Sequence, residues 1–197
     1  MDSLEIKKEL AMTYAKLVNH LLNKYGKAEH DYFRNETCKS KNPKVPRTSE
    51  GLYCHHIDED KAIMLSNDKF AIKNPYEYQK ADRLVYCNIL EHLILHIKIM
   101  EEPKNFEANE YELQGIGGVY NLICPQINDY FNGYSFKQQW LITAFSLIEN
   151  NFGDYIEILK YVLRVVEANP IYSLIMRKEQ LAVGWNKEIV KKVYNRL

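Results

Sequence analysis

The apolar stretch at residues 84–99 constrains the fold of this 197-residue chain more than any other feature. A membrane-spanning helix needs about 20 consecutive apolar residues. This stretch is interrupted by Asn88, Glu91, His92 and His96, so we expect it to lie inside a folded protein instead. The polar positions also divide it into two separate elements.

These elements are a short strand at residues 83–87 and a helix at residues 88–100. Asn88 is a good N-cap for the helix, and Glu91, three residues later, completes a capping box. Upstream, residues 51–57 predict another short strand, and a polar linker separates the two strands. The middle of the chain is therefore predicted to run strand, loop, strand, helix.

Helices are predicted on both sides of this middle piece. Apolar positions recur at helical spacing over residues 1–27, and Gly26 marks their end. The predicted C-terminal helices span residues 113–130, 136–150, 154–169 and 186–196. We therefore expect an α+β fold that is mostly α. Its parts are an N-terminal helix and basic loop at residues 1–50, a core at 51–105 and a C-terminal helical region at 106–197.

Four of the six histidines, His55, His56, His92 and His96, fall in the middle piece. His92 and His96 are one helical turn apart, which places their Cβ atoms about 5–6 Å apart on one face. Such a pair can share one divalent ion, although it is also typical of partly buried packing. His55 and His56 are adjacent on a strand and therefore point to opposite faces. One ligand and one free imidazole is the simplest division between them.

The segments Tyr53–Asp58, Leu84–Cys87 and Glu91–His96 together resemble the HNH endonucleases, also called ββα-metal or His-Me finger nucleases. The nearest pattern is the HH…HxxxH variant of the colicin-type DNases, and the resemblance covers about 50 residues. It implies a small ββα-metal core and hydrolysis of phosphodiester bonds in DNA. It also implies one divalent metal ion as cofactor: Mg, Mn, Ni or Zn.

Carried over position by position, the resemblance makes His55, His92 and His96 the metal ligands and His56 the general base. Histidine titrates near neutrality, so a neutral His56 can accept a proton there. Arg83 stands where the family has its central Asn. It is interpreted either as a catalytic contact to the scissile phosphate or as a solvated residue at the strand edge.

Other residues of the core leave further interpretations open. Cys54 and Cys87, with a helix histidine, either bind zinc or are small core residues. All four cysteines lack CxxC spacing and are expected to be free thiols. The acidic run at residues 58–60 is either a solvated turn or a source of an acidic group near the ion. Asp82 would orient the base histidine if the register slips by one residue.

Positive charge is concentrated locally, although 26 basic and 26 acidic residues cancel over the whole chain. The loop before the HH strand is the predicted nucleic-acid contact. Its predicted contact residues are Lys39, Lys41, Lys44 and Arg47. A second basic cluster lies near the C-terminus, and both charge runs also fit a solvated face.

The predicted partner is DNA, with RNA as an alternative, no membrane, and a homodimer as one option. Near its start the chain has Asp2, Glu5 and Glu9 instead of the cationic start and apolar run of a secretory signal, so a cytoplasmic location is expected. The enzyme hypothesis has an alternative, a catalytically inactive HNH-like protein that binds a nucleic acid or protein partner. Arg83 at the Asn position and the neutral charge favour that alternative. A purely structural zinc domain is a third interpretation, and a chelator would unfold it.

Overall fold

The computed structural model describes residues 3–102 and 114–197, which are mostly helical with a small antiparallel sheet of two strands. The expected class, α+β and mostly α, is confirmed. The strands are β1 (Tyr53–His56) and β2 (Leu84–Cys87). The helices are α1 (Ser3–Leu10), α2 (Tyr14–Tyr25), α3 (Asp68–Ala71), α4 (Ile89–Glu101), α5 (Cys124–Phe131), α6 (Gln139–Ser146), α7 (Phe152–Ala168), α8 (Pro170–Ile175), α9 (Lys178–Leu181) and α10 (Lys191–Tyr194). The predicted boundary at 105/106 and the predicted helix start at 113 lie outside the described residues.

The N-terminal region contains two helices, so the prediction of one helix over residues 1–27 was wrong. Thr13 has an extended backbone, and its side chain caps the start of α2. The Nζ of Lys98 donates to the carbonyl of Leu10 at 2.6 Å, which satisfies a carbonyl at the end of α1. The predicted stop at Gly26 is confirmed, because its N–H bonds to Leu22 with φ at 79°.

The middle piece has the predicted order of elements. β1 and β2 pair antiparallel, with His55 opposite Val85 and His56 opposite Leu84. The helix α4 follows β2 directly. Asn88 Oδ1 accepts the backbone N–H groups of Leu90 and Glu91, and the Glu91 carboxylate accepts the N–H of Asn88 at 2.7 Å. The predicted capping box is therefore confirmed.

The helix α4 lies in the centre of the main hydrophobic cluster. Nearly all its residues are buried, including the polar Glu91, His96 and Lys98. It contacts α1, α2, α7 and both strands. A helix with apolar residues around most of its circumference is expected in such a buried position. Its two histidines are consequently held by packing from several directions.

The C-terminal region is helical, as expected, but its elements are shorter or shifted. A π-helical turn, Gly118–Ile123, precedes α5 where the sequence predicts one continuous helix. The predicted helix at 186–196 is reduced to α10, because Val183 pairs with Ile189 in a tight turn with Lys187 at φ 66°. Among the described residues, the helices are all too short or too polar to cross a membrane.

Candidate metal centre

Three imidazoles from separate parts of the chain converge beside the sheet. His55 comes from β1, and His92 and His96 lie one turn apart on α4. One nitrogen of each ring lies within 4.8 Å of the other two, and the Nε2 atoms of His92 and His96 are 3.2 Å apart. Two ligands of a tetrahedral ion at about 2.05 Å are about 3.3 Å apart. The structure thus brings together the three predicted ligand residues, with His92 and His96 at the spacing of two ligands and His55 within 4.8 Å of both.

Glu59 supplies a fourth potential ligand to this group. Its Oε2 lies 3.5 Å from Nδ1 of His55 and 3.4 Å from Nε2 of His96. A 3₁₀ turn, Ile57–Asp60, directly after β1 brings this carboxylate back over the strand. The interpretation of residues 58–60 as a solvated turn was wrong, because Asp58 is 0% and Asp60 is 4% exposed. Three imidazoles and one carboxylate suit Zn²⁺, Ni²⁺ or Mn²⁺.

A tyrosine from α2 determines which nitrogen of His55 is available. The hydroxyl of Tyr14 donates its one hydrogen to the carbonyl of Ile57 at 2.8 Å. Towards Nε2 of His55, 2.9 Å away, it must therefore accept. The hydrogen of His55 is then on Nε2, and the lone pair of Nδ1 faces Glu59. Hydrogen bonds of this kind orient histidine ligands in metal sites.

Burial sets the charge state of the group. Burial lowers the pKa of His96 to about 4, and burial together with the neighbouring imidazoles places the pKa of His55 and His92 well below the ordinary value. Burial raises the pKa of Glu59 to about 8. The imidazoles are therefore neutral at pH 7, which is the form that binds a metal ion, whereas Glu59 holds a proton that a bound ion would displace.

Two glycines pack closely against His96, one against its ring and one against its backbone. A Cβ at Gly118 would lie 2.4 Å from Nδ1 of His96. Gly115 has φ at +82°, and a Cβ there would lie 2.5 Å from the carbonyl oxygen of His96. Only glycine permits this close approach. We did not predict this role, and the available signal was the Gly-Ile-Gly-Gly run at residues 115–118.

His56 points away from this group, as its place next to His55 on a strand predicts. Its Nε2 donates to Oε1 of Gln79 at 2.9 Å, and the amide nitrogen of Gln79 donates to the carbonyl of Leu65. The Nδ1 of His56 therefore carries a lone pair and has no hydrogen-bond partner among the described residues. Burial lowers the pKa of His56 to about 4, and the residue is 1% exposed. The prediction that Asp82 would orient His56 after a slip in register was wrong. Gln79 makes this contact, and Asp82 is exposed.

Arg83 forms a two-pronged ion pair with Asp58. Its Nε and one terminal nitrogen lie 2.6 and 2.5 Å from the two carboxylate oxygens. Lys61 also bonds to Asp58 at 2.6 Å. The Arg83 side chain is also 37% exposed, so this residue beside the start of β2 is partly solvated as well as paired. Arg83 borders a surface groove of about 330 Å³ that Tyr14 and Asp82 also line, and a phosphate there would compete with Asp58.

The predicted nucleic-acid contacts fall into two groups. Lys39, Lys41 and Lys44 are exposed. The Nζ of Lys41 lies 5.2 Å from the ring centre of Tyr32, and that ring is 4.4 Å from the ring of His56. Arg47 instead pairs with Glu50 and donates to a backbone carbonyl. The exposed lysines thus extend the basic loop to the neighbourhood of His56.

The cysteines do not belong to the proposed ligand group. All four are free, as expected. Cys87 is buried in the core, and no cysteine belongs to a potential metal-binding group within residues 3–102 and 114–197. Of the two interpretations of Cys54 and Cys87, the structure favours core residues.

No family model, no curated protein and no solved structure matches this chain. The functional argument therefore depends on the geometry of the four histidines and of the residues around them.

Proposed function

We propose that this protein is a metal-dependent endonuclease that hydrolyses phosphodiester bonds in DNA. The observation that carries the proposal is the convergence of His55, His92 and His96, with the Glu59 carboxylate within 3.5 Å of two of these rings. The order of elements supports an HNH-type ββα-metal core, because two antiparallel strands carrying the HH pair precede a helix carrying the HxxxH pair.

The residues divide into ion-binding and proton-accepting groups. His55, His92 and His96 would hold the ion, and Glu59 is placed to complete the set. A bound divalent ion supplies Lewis-acid stabilisation of a phosphoryl oxygen. His56 would accept a proton at Nδ1 while its bond to Gln79 orients the ring. A base held by a third group in this way is typical of hydrolytic sites.

Substrate access has two features. His55 and His96 are 1% and 8% exposed, while His92 is half-buried, so a substrate would approach on the side of His92. His56 is 1% exposed and packs against the ring of Tyr32, so a phosphodiester could reach its Nδ1 only if neighbouring side chains moved aside. The exposed lysines of the adjacent loop would attract the phosphates.

The test is plasmid nicking by the purified protein with Mg²⁺, Mn²⁺, Ni²⁺ or Zn²⁺. His56→Ala should abolish nicking and keep bound metal, whereas His96→Ala should lose both. His30→Ala is the matched control, because His30 lies outside both pairs. Nicking by folded His56→Ala at the wild-type rate would contradict the assigned base.

A second candidate function is a non-catalytic HNH-like protein that binds a nucleic acid or protein partner. The burial of His56 and the engagement of Arg83 by Asp58 favour it. This function predicts stoichiometric bound metal, no cleavage with any of the four ions, and retained binding. Salt-dependent DNA binding that falls when Lys39, Lys41 and Lys44 become glutamine would identify nucleic acid as the partner.

A further inference from the structure

A second group of potential ligands lies between α1 and α2. Glu5 and Glu9 are one turn apart on α1, and His20 is on α2. One ligand atom from each lies within 4.8 Å of the other two. The Nε2 of His20 is 3.6 Å from a carboxylate oxygen of Glu9. This group shares no residue with the histidine site.

Glu9 is the unusual member of the group. It is 0% exposed, and neither carboxylate oxygen has a hydrogen-bond partner among the described residues. The inward Nε2 of His20 also lacks one there. A buried carboxylate without such bonds is costly, so a cation or a proton has to compensate it.

The surrounding charges favour a cation. The ammonium group of Lys24 pairs with Glu5 and, at 2.7 Å, with Glu91. With Glu9 ionised, three carboxylates would share one ammonium, which leaves two negative charges, and one proton would neutralise only one of them. Burial, followed by the charge of Glu91, raises the pKa of Glu9 to about 8, so without an ion this carboxyl group holds a proton at neutral pH, and a bound cation would displace that proton.

We propose that Glu5, Glu9 and His20 form a second divalent-cation site that takes Zn²⁺. Two carboxylates and one imidazole are suitable zinc ligands, and water would complete the coordination. The ion would fasten α1 to α2. Lys24 bonds both to Glu5 of the proposed site and to Glu91 in the first turn of α4. The ion would therefore also help to hold that turn, which carries His92. This role does not depend on nuclease activity.

The test counts zinc bound per chain after equilibrium dialysis of the full-length protein. The wild type should bind two ions, Glu9→Gln one, His96→Ala one, and the double variant none. A Glu9→Gln protein that binds as much zinc as the wild type would overturn the proposal, and a proton on Glu9 would then be the compensation. If the wild type binds one ion and the Glu9→Gln protein binds none, the result would support this site and contradict metal binding at the histidines.

Two further variants secure the interpretation. Glu157→Gln is the matched control, since this exposed glutamate pairs with Lys160 on α7 and its loss should leave two ions bound. If circular dichroism shows that Glu9→Gln is unfolded, His20→Gln replaces it. The side chain of His20 is 36% exposed, so its substitution should be tolerated. His20→Gln should also lose one ion, and an unchanged count would overturn the proposal.

Discussion

Substitution of Gly118 by alanine tests whether the space that this glycine leaves for the ring of His96 matters for metal binding. The added Cβ would lie 2.4 Å from Nδ1 of His96, 2.5 Å from Cε1 and 2.7 Å from Cγ. Ordinary contact begins at 3.4 Å, so the ring would have to retreat by about 1 Å in a close-packed interior. Gly118 belongs to the π-helical turn, which contacts α4, so the backbone also resists the shift.

A shift of that size should weaken metal binding strongly. Binding geometry has to be held to about 0.5 Å for full function. Loss of a group that positions a ligand typically lowers metal affinity about 10–100-fold. We expect a loss in this range for Gly118→Ala, together with an overpacking cost of about 1–3 kcal/mol in the free energy of unfolding.

The assay is competition for Zn²⁺ against a chelator of known affinity, in the Glu9→Gln background so that only the histidine site is measured. Gly117→Ala is the matched control, because a Cβ at Gly117 meets nothing within 4 Å and its backbone is helical. That variant should keep its affinity and gain about 0.5–1 kcal/mol in stability. Equal zinc affinities for the two alanine variants would refute the role of Gly118.

Four other outcomes are expected. Burial lowers the pKa of His56 from 6.5 to about 4, so between these pH values the unfolded chain binds a proton that the native ring does not. The free energy of unfolding should therefore fall as the pH drops from 6.5 to 4, by up to about 1.4 kcal/mol per pH unit from this residue. For His56→Gln, the free energy of unfolding measured in urea should fall less over this pH range. The same pH dependence in the variant and the wild type would contradict the prediction. Tyr14→Phe removes the acceptor of the His55 hydrogen and should lower zinc affinity about 10-fold, measured by the same competition. Arg83→Met leaves Asp58 with Lys61 alone and should cost about 1–3 kcal/mol. A double-mutant cycle with Asp58→Asn should show a coupling free energy between the two residues. Additive effects on the free energy of unfolding would contradict the ion pair. A chelator should remove metal and leave the circular dichroism unchanged, because α4 is held in the main hydrophobic cluster by protein contacts, whereas unfolding would favour a structural zinc domain.

The elements that follow from local rules were predictable from the sequence. Asn88 and Glu91 signal the start of α4 within four residues, and the structure has that capping box. The alternation of side chains along a strand predicts that His55 and His56 separate, and they contact different neighbours. The break before α2 also had a local signal, because Thr13 is a good N-cap residue.

The residues that complete the site depend on tertiary contacts, which periodicity does not reveal. Asp58 and Asp60 belong to residue types that are rarely buried. The ion pair with Arg83 makes the burial of Asp58 tolerable, and that pair forms only when the turn after β1 meets the start of β2. The same turn brings Glu59 to the histidines. The expectation that residues 58–60 are exposed to solvent therefore missed both the ion pair and the position of Glu59.

The parts of the chain outside the HH and HxxxH segments also belong to the site. Tyr14 of α2 places the hydrogen of His55 on Nε2, and Gly118, after α4, leaves room for the ring of His96. One hydrophobic cluster includes residues of α1, α2, α4, α5 and α7, so the helices that supply these contacts share a core with the helix that carries His92 and His96. An isolated strand–strand–helix segment would keep all four histidines but lose the contacts that orient two of them. Because metal affinity depends on such orientations, we expect the flanking helices to decide whether His55, His92 and His96 can act as one metal site.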